Sequence, residues 1–182
     1  MRILQRVPGS VLWLIPHNPS DARNLRTGAA ARGIDPGRLV FAPRVPLPEH
    51  LARHRVTDLF LDTWPCNAHT TVGDALWAGL PLLIRSGRSF ASRVAASLLH
   101  AIGLPESITH TDGDYEELAV ALANDPRRLA ALKNKLAANR LTQPLLDCPR
   151  FTRHLETAYL AAMERYWRGE SLVHLQIGDG NS

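Results

Sequence analysis

The sequence has few cysteines and no long apolar run, and both shortages narrow the class of protein. Cys66 and Cys148 are the only two cysteines among 182 residues, and they form no CxxC or other metal-ligand spacing. We therefore expect no disulfides and a reducing, cytoplasmic location. No apolar stretch approaches the roughly 20 residues that cross a bilayer, and the first residues lack the apolar run of a signal peptide. The expectation is a soluble protein with no membrane partner.

The sequence also has little net charge. Its 21 lysines and arginines against 17 acidic residues give a formal charge of +4, and the basic residues are scattered along the chain. Nucleic-acid binding usually requires a concentrated basic surface, so no nucleic-acid partner is expected. A small anion such as a nucleotide diphosphate fits this charge equally well. The 45% of hydrophobic residues is enough for one packed domain.

Short apolar runs alternate with longer amphipathic segments along most of the chain. This order predicts an α/β fold with a Rossmann-like, mostly parallel sheet and helices on both faces. The expected strands are 10–15, 39–42, 58–62, 81–84 and a weak one at 107–109. The expected helices are 20–32, 48–55, 69–79, 90–101, 115–123, 127–140 and 150–167, with Ser20 or Asp21 capping the first.

Both ends of the chain depart from this alternation. Ile3, Leu4 and Val7 have helical spacing and lead directly into a strand, which indicates the end of a helix whose preceding strand and phosphate-facing turn are absent. The other end is helical from residue 114 onward. The expected division is a Rossmann-like lobe over 1–149, a C-terminal helix over 150–170 that packs across it, and a disordered tail over 171–182.

The segment 66–71, between the third expected strand and the next helix, is the best candidate for a ligand site. Ligands of open α/β sheets bind at the carboxyl ends of strands, beside helix N-termini. Thr70 and Thr71 bring hydroxyls and unpaired backbone N–H groups together, and the helix dipole adds partial positive charge. The pattern therefore predicts either an anion site without a lysine or a threonine that merely caps the helix.

Three further residues near this segment each have two possible roles. Asp74 follows Thr71 by three residues, so it either closes a capping box or accepts hydrogen bonds from ribose hydroxyls. His50 and Arg53 share one helix face, where they either contact a nucleobase or form a solvated surface pair.

The remaining reactive side chains form no complete catalytic or metal arrangement. Asp58 and Asp62 bracket a strand and lack the adjacent spacing that holds a metal through a diphosphate, so we predict no metal and expect Asp62 to close the strand end. Cys66 has no histidine-and-acid arrangement beside it and is not expected to be a nucleophile. Arg93 either reaches a phosphate or packs its stem locally.

Five segments follow the order and spacing of one known family. They are Ser10-Val-Leu-Trp-Leu, Leu61-Asp-Thr, Cys66-Asn-Ala-His-Thr-Thr, Asp74-Ala-Leu-Trp-Ala-Gly and Ala91-Ser-Arg-Val-Ala-Ala-Ser. Together they resemble the O-GlcNAc transferase family, with its SPINDLY-type branch, in the C-terminal half of the catalytic region. The resemblance covers about residues 2–168. It implies the C-terminal, nucleotide-sugar-binding lobe of a GT-B fold, without its first strand.

The resemblance implies a uracil site near the short helix 48–55. His50 would stack near the base, Arg53 would contact its edge, and Val45 would offer backbone groups to it. Leu47 departs from the family pattern, in which a lysine contacts the ribose.

The resemblance also implies that the cleft at 66–71 holds the rest of UDP. His69, Thr70 and Thr71 would cradle the diphosphate, and Asp74 would hold the ribose. The family's diphosphate-binding lysine lies before the segment that matches Arg2, so we expect the chain to lack it. The lobe with the candidate base is expected to be missing too, and the catalytic residues stay unknown.

The implied parent activity is an inverting, metal-independent and cofactor-free transfer of N-acetylglucosamine from UDP-GlcNAc to a Ser or Thr hydroxyl of a protein. We expect this chain to be inactive alone and to need a missing or separately encoded N-terminal catalytic lobe, with helical repeats, as its partner. The alternatives are a non-catalytic UDP-binding or docking remnant and a protein O-fucosyltransferase lobe that uses GDP-fucose. The segment Asn67-Ala-His69 favours UDP-GlcNAc.

Overall fold

The computed structural model describes residues 1–16 and 18–178. Within them, five short strands and eight α-helices are connected by loops and short 3-10 turns. The strands are β1 (Leu12–Leu14), β2 (Leu39–Phe41), β3 (Phe60–Leu61), β4 (Leu82–Arg85) and β5 (Ile108–Thr109). The helices are α1 (Arg2–Arg6), α2 (Pro19–Ala30), α3 (Leu47–Arg53), α4 (Thr70–Ala78), α5 (Val94–Ala101), α6 (Asp112–Asn124), α7 (Pro126–Asn139) and α8 (Cys148–Trp167). The predicted α/β class is confirmed, and every strand lies within or beside its predicted segment.

The strands form two hydrogen-bonded groups, and all of their pairings are parallel. β1 pairs with β2, and the second group has the order β3-β4-β5. In a doubly wound sheet the first strand lies in the middle, between the second and the fourth. The two groups therefore match strands 2–3 and 4–6 of that order. The described residues supply no strand for the place between β1 and β3.

The main hydrophobic core surrounds β4. Leu82, Leu83 and Ile84 have no exposed surface, and because successive side chains point to opposite faces, both faces of β4 are covered. Leu82 and Ile84 pack in one cluster with buried residues of four helices, α4 to α7. A smaller cluster lies against β2 and includes Leu4 and Leu39.

The start of α2 differs from the prediction. Asn18, rather than Ser20 or Asp21, caps the helix: its side chain accepts a hydrogen bond from the backbone N–H of Asp21, and the Asp21 carboxylate accepts one from the N–H of Asn18. Pro19 takes the first helical position, where a missing N–H removes no intrahelical hydrogen bond, so the helix begins earlier than predicted.

The predicted C-terminal helix exists as α8 and lies on the surface. None of its 20 residues is buried, and Phe151, Leu155, Tyr159 and Met163 recur every four residues along one exposed face. Its packing across the lobe, and the division into 1–149 and 150–170, stay predictions. Residues 171–178 have no regular secondary structure, and residues 179–182 of the expected disordered tail lie outside the described residues.

A search of the described residues for a membrane-crossing helix finds none that combines the necessary length with the necessary hydropathy.

Two arginines of α1 tie the first strand group to the second. Nε of Arg2 donates to Oε2 of Glu116 at 2.5 Å, and Nη1 and Nη2 of Arg6 donate to the two carboxylate oxygens of Glu117 at 2.6 and 2.8 Å. These hydrogen bonds, from Arg2 to Glu116 and from Arg6 to Glu117, lower the pKa of both glutamates on α6. The contact between α1 and α6 is therefore electrostatic as well as steric.

Replacing both glutamates with glutamine should make the stability less sensitive to acid. A carboxyl group whose pKa is lowered in the folded state stabilises the fold above its ordinary pKa of 4.5 and loses that contribution as the pH falls through the lowered value. Urea unfolding at several pH values from about 2 to 7 should show a steeper acid loss for the wild type than for E116Q/E117Q. E106Q, which removes the Glu106–Lys135 pair inside the second group, is the control and should keep the wild-type slope. Parallel curves for wild type and double variant would contradict the prediction.

Candidate functional site

The start of α4 is the centre of the candidate site. The helix begins at Thr70, with His69 as its N-cap residue, and no side chain caps it. The N–H groups of Val72 and Gly73 instead reach the carbonyl of His69 at 3.2 and 3.3 Å. The interpretation of Thr70 or Thr71 as a cap is therefore wrong.

The first turn of α4 has the properties of an anion site. Thr70 and Thr71 occupy the first two helical positions, where backbone N–H groups have no acceptor within the helix. Their side chains and that of His69 are exposed, so hydroxyls, N–H groups and the positive end of the helix dipole face the same solvent-accessible place. A capping box with Asp74 does not form, since Thr71 is not at the cap position.

Asp62 fixes the loop that leads from β3 to α4. Its Oδ1 accepts hydrogen bonds from the backbone N–H groups of Thr63 and Ala68, both at 2.8 Å, so one buried carboxylate holds both ends of the loop. The hydroxyl of Tyr115 donates to the Asp62 carbonyl at 2.9 Å. Burial raises the pKa of Tyr115, so this phenol is a neutral donor. The expected role of Asp62 in closing the strand end is confirmed.

The hydrogen bonds of the Asp62 carboxylate do not fully compensate for its burial. Its Oδ2 is buried and has no hydrogen-bond partner among the described residues, and burial raises the pKa of this carboxyl despite the two backbone hydrogen bonds. Asn67 is equally buried: its Nδ2 donates to the carbonyl of Thr63 at 2.9 Å, whereas its Oδ1 is unpartnered within the same described part. The base of the cleft therefore contains two unused hydrogen-bond acceptors.

His50 and Arg53 form a hydrogen-bonded unit on α3, which packs against α4. Nε and Nη2 of Arg53 lie 3.1 and 2.7 Å from Nδ1 of His50, and Nη1 donates to the carbonyl of Pro43 at 2.9 Å. Because a guanidinium can only donate, Nδ1 is the acceptor and the neutral ring carries its proton on Nε2. The two side chains are half-buried and hydrogen-bonded to each other, which is compatible with both roles given above, and the nucleobase contact stays a prediction.

The surroundings of His50 favour the neutral ring. Burial, and then the neighbouring His54 and Arg53, lower its pKa, whereas Asp74 acts in the opposite direction. α3 packs against α4, the helix that carries Asp74. His50 thus offers an Nε2–H donor, which suits a base carbonyl, on the helix next to a carboxylate that suits a ribose.

The other predicted site residues occupy less decisive positions. Val45 is half-buried in the loop before α3, near the Pro43 carbonyl that Arg53 contacts, and Leu47 is the exposed first residue of α3. Arg93 is exposed at the start of α5, and Cys66 is an exposed free thiol. The assignment of Val45, His50, Arg53, His69, Thr70, Thr71 and Asp74 to a nucleotide stays a prediction.

Asp58 lies away from the cleft, where its carboxylate pairs with Lys133 of α7 at 3.0 Å. Within residues 1–16 and 18–178 there is no group of three or more histidine, cysteine or acidic side chains that could hold a metal ion.

Sequence reasoning missed Phe90 and Trp64. The Phe90 ring lies edge-on to His69, with 6.1 Å between ring centroids, and the guanidinium of Arg85 stacks on Trp64 at 3.9 Å. Both aromatic side chains are exposed and follow the carboxyl ends of neighbouring strands, β3 and β4. That position, in a βα loop at the ligand edge, was the signal available in the sequence.

Comparison with known proteins identifies the family of this chain. The sequence model of glycosyl transferase family 41 matches residues 1–155. The chain belongs to this family. The resemblance of its five segments to the O-GlcNAc transferase and SPINDLY-type proteins is confirmed.

Two curated relatives and one solved structure illustrate the relationship. The chain is 39% identical to a probable UDP-N-acetylglucosamine–peptide N-acetylglucosaminyltransferase SEC of Arabidopsis thaliana, over 96% of this chain and 18% of the relative. It is 32% identical to the probable UDP-N-acetylglucosamine–peptide N-acetylglucosaminyltransferase SPINDLY of Petunia hybrida, over 76% of this chain and 15% of the relative. A mutant O-GlcNAc transferase of Thermobaculum terrenum superposes with a TM-score of 0.81 and 32% identity, over 87% of this chain and 31% of that chain. The chain thus spans less than a fifth of either curated relative.

Two substitutions of Asp62 should separate its charge from its hydrogen bonds. Because its folded-state pKa is raised, ionisation of Asp62 destabilises the fold as the pH rises from its ordinary value of 3.8 through the raised one. Asp62→Asn keeps an oxygen for the N–H groups of Thr63 and Ala68 and should remove that decline in the free energy of unfolding. Asp62→Ala leaves both N–H groups unpaired and should lower stability by about 1–3 kcal/mol at neutral pH. Denaturant unfolding of both variants across this pH range is the measurement, and an equal loss in both would contradict the hydrogen-bonding role.

Proposed function

We propose that this chain is the C-terminal, UDP-sugar-binding part of a cytoplasmic glycosyltransferase that transfers N-acetylglucosamine from UDP-GlcNAc to Ser or Thr hydroxyls of proteins. The observation that carries the proposal is the start of α4, where two threonine hydroxyls and backbone N–H groups precede Asp74 on a helix that packs against α3, the helix of the His50–Arg53 unit. Both curated relatives are named as probable transferases of N-acetylglucosamine from its UDP donor to a peptide, which supports the donor and the acceptor class of this reaction.

The proposed binding mode follows the order of these groups. The Nε2–H of His50 donates to a carbonyl of the uracil, or the ring stacks on the base, while Val45 and Arg53 border it. Asp74 accepts from the ribose hydroxyls, and the first turn of α4, with His69, Thr70 and Thr71, receives the diphosphate. As the bond to the sugar breaks, the leaving UDP gains negative charge, which the N–H groups and dipole of α4 stabilise without a metal or a cofactor.

The proposal includes an incomplete enzyme. The cleft offers no lysine to the diphosphate and no assigned base to the acceptor hydroxyl, so the remaining catalytic groups come from an N-terminal catalytic lobe, with helical repeats, outside these 182 residues. Two features support such a partner: the place between β1 and β3 that no described strand fills, and the exposed apolar face of α8. A non-catalytic UDP-binding or docking remnant has the same two features, and only a transfer assay with the missing region separates the two functions.

Replacing both threonines with valine tests the nucleotide site. Valine keeps the shape of threonine and leaves the backbone N–H groups in place, but it removes two hydroxyl donors to a charged phosphate. Charge-assisted hydrogen bonds contribute about 1.5–3 kcal/mol each, so T70V/T71V should weaken UDP binding by about tenfold or more. Chemical-shift titration of the labelled chain with UDP measures this effect even when binding is weak.

The matched control for this experiment is T152V, at an exposed threonine on α8, which should bind UDP like the wild type. A parallel titration with GDP tests the fucosyltransferase alternative, because we expect weaker binding of GDP than of UDP. Unchanged UDP affinity in the folded double variant would overturn the assignment of α4 as the phosphate site.

A second experiment tests the incompleteness of the enzyme. The purified chain, incubated with UDP-GlcNAc carrying a labelled sugar and a Ser/Thr peptide, should yield no labelled peptide, because the acceptor-side groups are outside it. Addition of a polypeptide that supplies the preceding catalytic region of the Arabidopsis relative is the positive arm. Transfer by the chain alone would refute this part of the proposal.

A further inference from the structure

Phe90 is a large apolar side chain on the exposed surface next to His69 and the start of α4. Its exposed fraction is 76%, although its ring touches His69 in an edge-to-face contact with planes 86° apart. Phe90 is not part of either core cluster of the described residues, so core packing does not account for its position. Exposed aromatic rings at the rim of a ligand cleft are typical contact surfaces for a ligand's apolar face.

The backbone around Phe90 is held firmly. Ser89 and Ser92 form a reciprocal capping box around the single 3-10 turn Phe90–Ser92, and the N–H of Asn67 donates to the carbonyl of Ala91 at 2.9 Å. At Gly87, a Cβ would lie 2.5 Å from Oγ of Ser92 and 3.1 Å from Nε1 of Trp64, so only glycine permits this close approach. The loop after β4 is therefore fixed against the loop that precedes α4.

The order of groups along the cleft assigns a direction to any bound sugar nucleotide. Asp74 lies on the second turn of α4 near His50, Thr71 and Thr70 lie on the first turn, and His69 precedes the helix. A sugar nucleotide has the same linear order of base, ribose, diphosphate and sugar. With the ribose at Asp74 and the diphosphate at the helix start, the sugar extends past His69, toward Phe90.

We propose that Phe90 is the apolar contact for the sugar of the bound sugar nucleotide and thereby distinguishes a UDP-sugar from UDP. This inference rests on the proposed function, because it requires the diphosphate at α4. A hexopyranose ring has a face of C–H groups, which carry partial positive charge and pack against the negative face of an aromatic ring. The edge-to-face contact with His69 orients the Phe90 ring and leaves most of its surface available to the sugar.

The test compares the affinities of Phe90→Ala and of the wild-type chain for UDP and for UDP-GlcNAc, by the same chemical-shift titration. Loss of an aromatic contact should weaken UDP-GlcNAc binding by about fivefold and leave UDP binding unchanged. Phe90→Trp, which keeps an aromatic face, should retain the wild-type preference for UDP-GlcNAc over UDP. Phe151→Ala removes another exposed phenylalanine, which lies on α8, and should change neither affinity.

The outcomes separate this inference from the proposed function. If Phe90→Ala leaves the ratio of the two affinities unchanged, or weakens both ligands equally, Phe90 does not contact the sugar and the inference is overturned, while the UDP site stands. If the wild-type chain and the Phe151→Ala control bind neither ligand, the proposed function fails first and the inference fails with it. Thermal unfolding of each variant verifies that the exposed substitutions leave the fold intact.

Discussion

The Asp62 carboxylate closes the loop between β3 and α4, and the candidate site depends on that closure. The carboxylate accepts hydrogen bonds from the N–H groups of Thr63 and Ala68 and so holds the loop against the end of β3. As a result, α4 starts at the sheet edge and its first two residues are exposed. The His69 side chain does not cap the helix start, and within residues 1–16 and 18–178 no other side chain is seen to accept from its first N–H groups. The same burial that makes the carboxylate an effective anchor raises its pKa. The candidate anion site thus consists of backbone groups and exposed hydroxyls, and a buried acid supports it.

The cleft has little positive charge of its own. The start of α4 provides about half an elementary charge, the pKa of His50 is lowered, and Arg53 directs its donors to His50 and to the Pro43 carbonyl. A diphosphate at the proposed site would therefore be only partly neutralised by these residues. Arg53 would act on the proposed base site through His50, because it fixes which ring nitrogen carries the proton. This division agrees with the proposal that a second region contributes further charge.

The parts of the fold that depend on local pattern could be predicted. Apolar runs bounded by proline and glycine located all five strands. The unpredicted features depend on a choice among neighbouring polar groups or on strand order. Either of two adjacent threonines was a plausible N-cap residue for α4, and no local pattern in the sequence shows that His69 occupies the N-cap position instead. Phe90 meets His69 only because β3 and β4 are neighbours in the sheet.

In a doubly wound strand order, the place between β1 and β3 would lie next to β3 and the loop that follows it. In a doubly wound sheet, ligands bind where the strand order reverses, and the change from the first strand group to the second is such a place. β3 is held by pairing to β4 alone, through two residue pairs, so its position is less constrained than that of β4. A strand in the unfilled place would add hydrogen bonds along the free edge of β3 and restrain Asp62 at its end. Completion of the sheet by such a strand would therefore act on the α4 start through the same three residues, Phe60, Leu61 and Asp62.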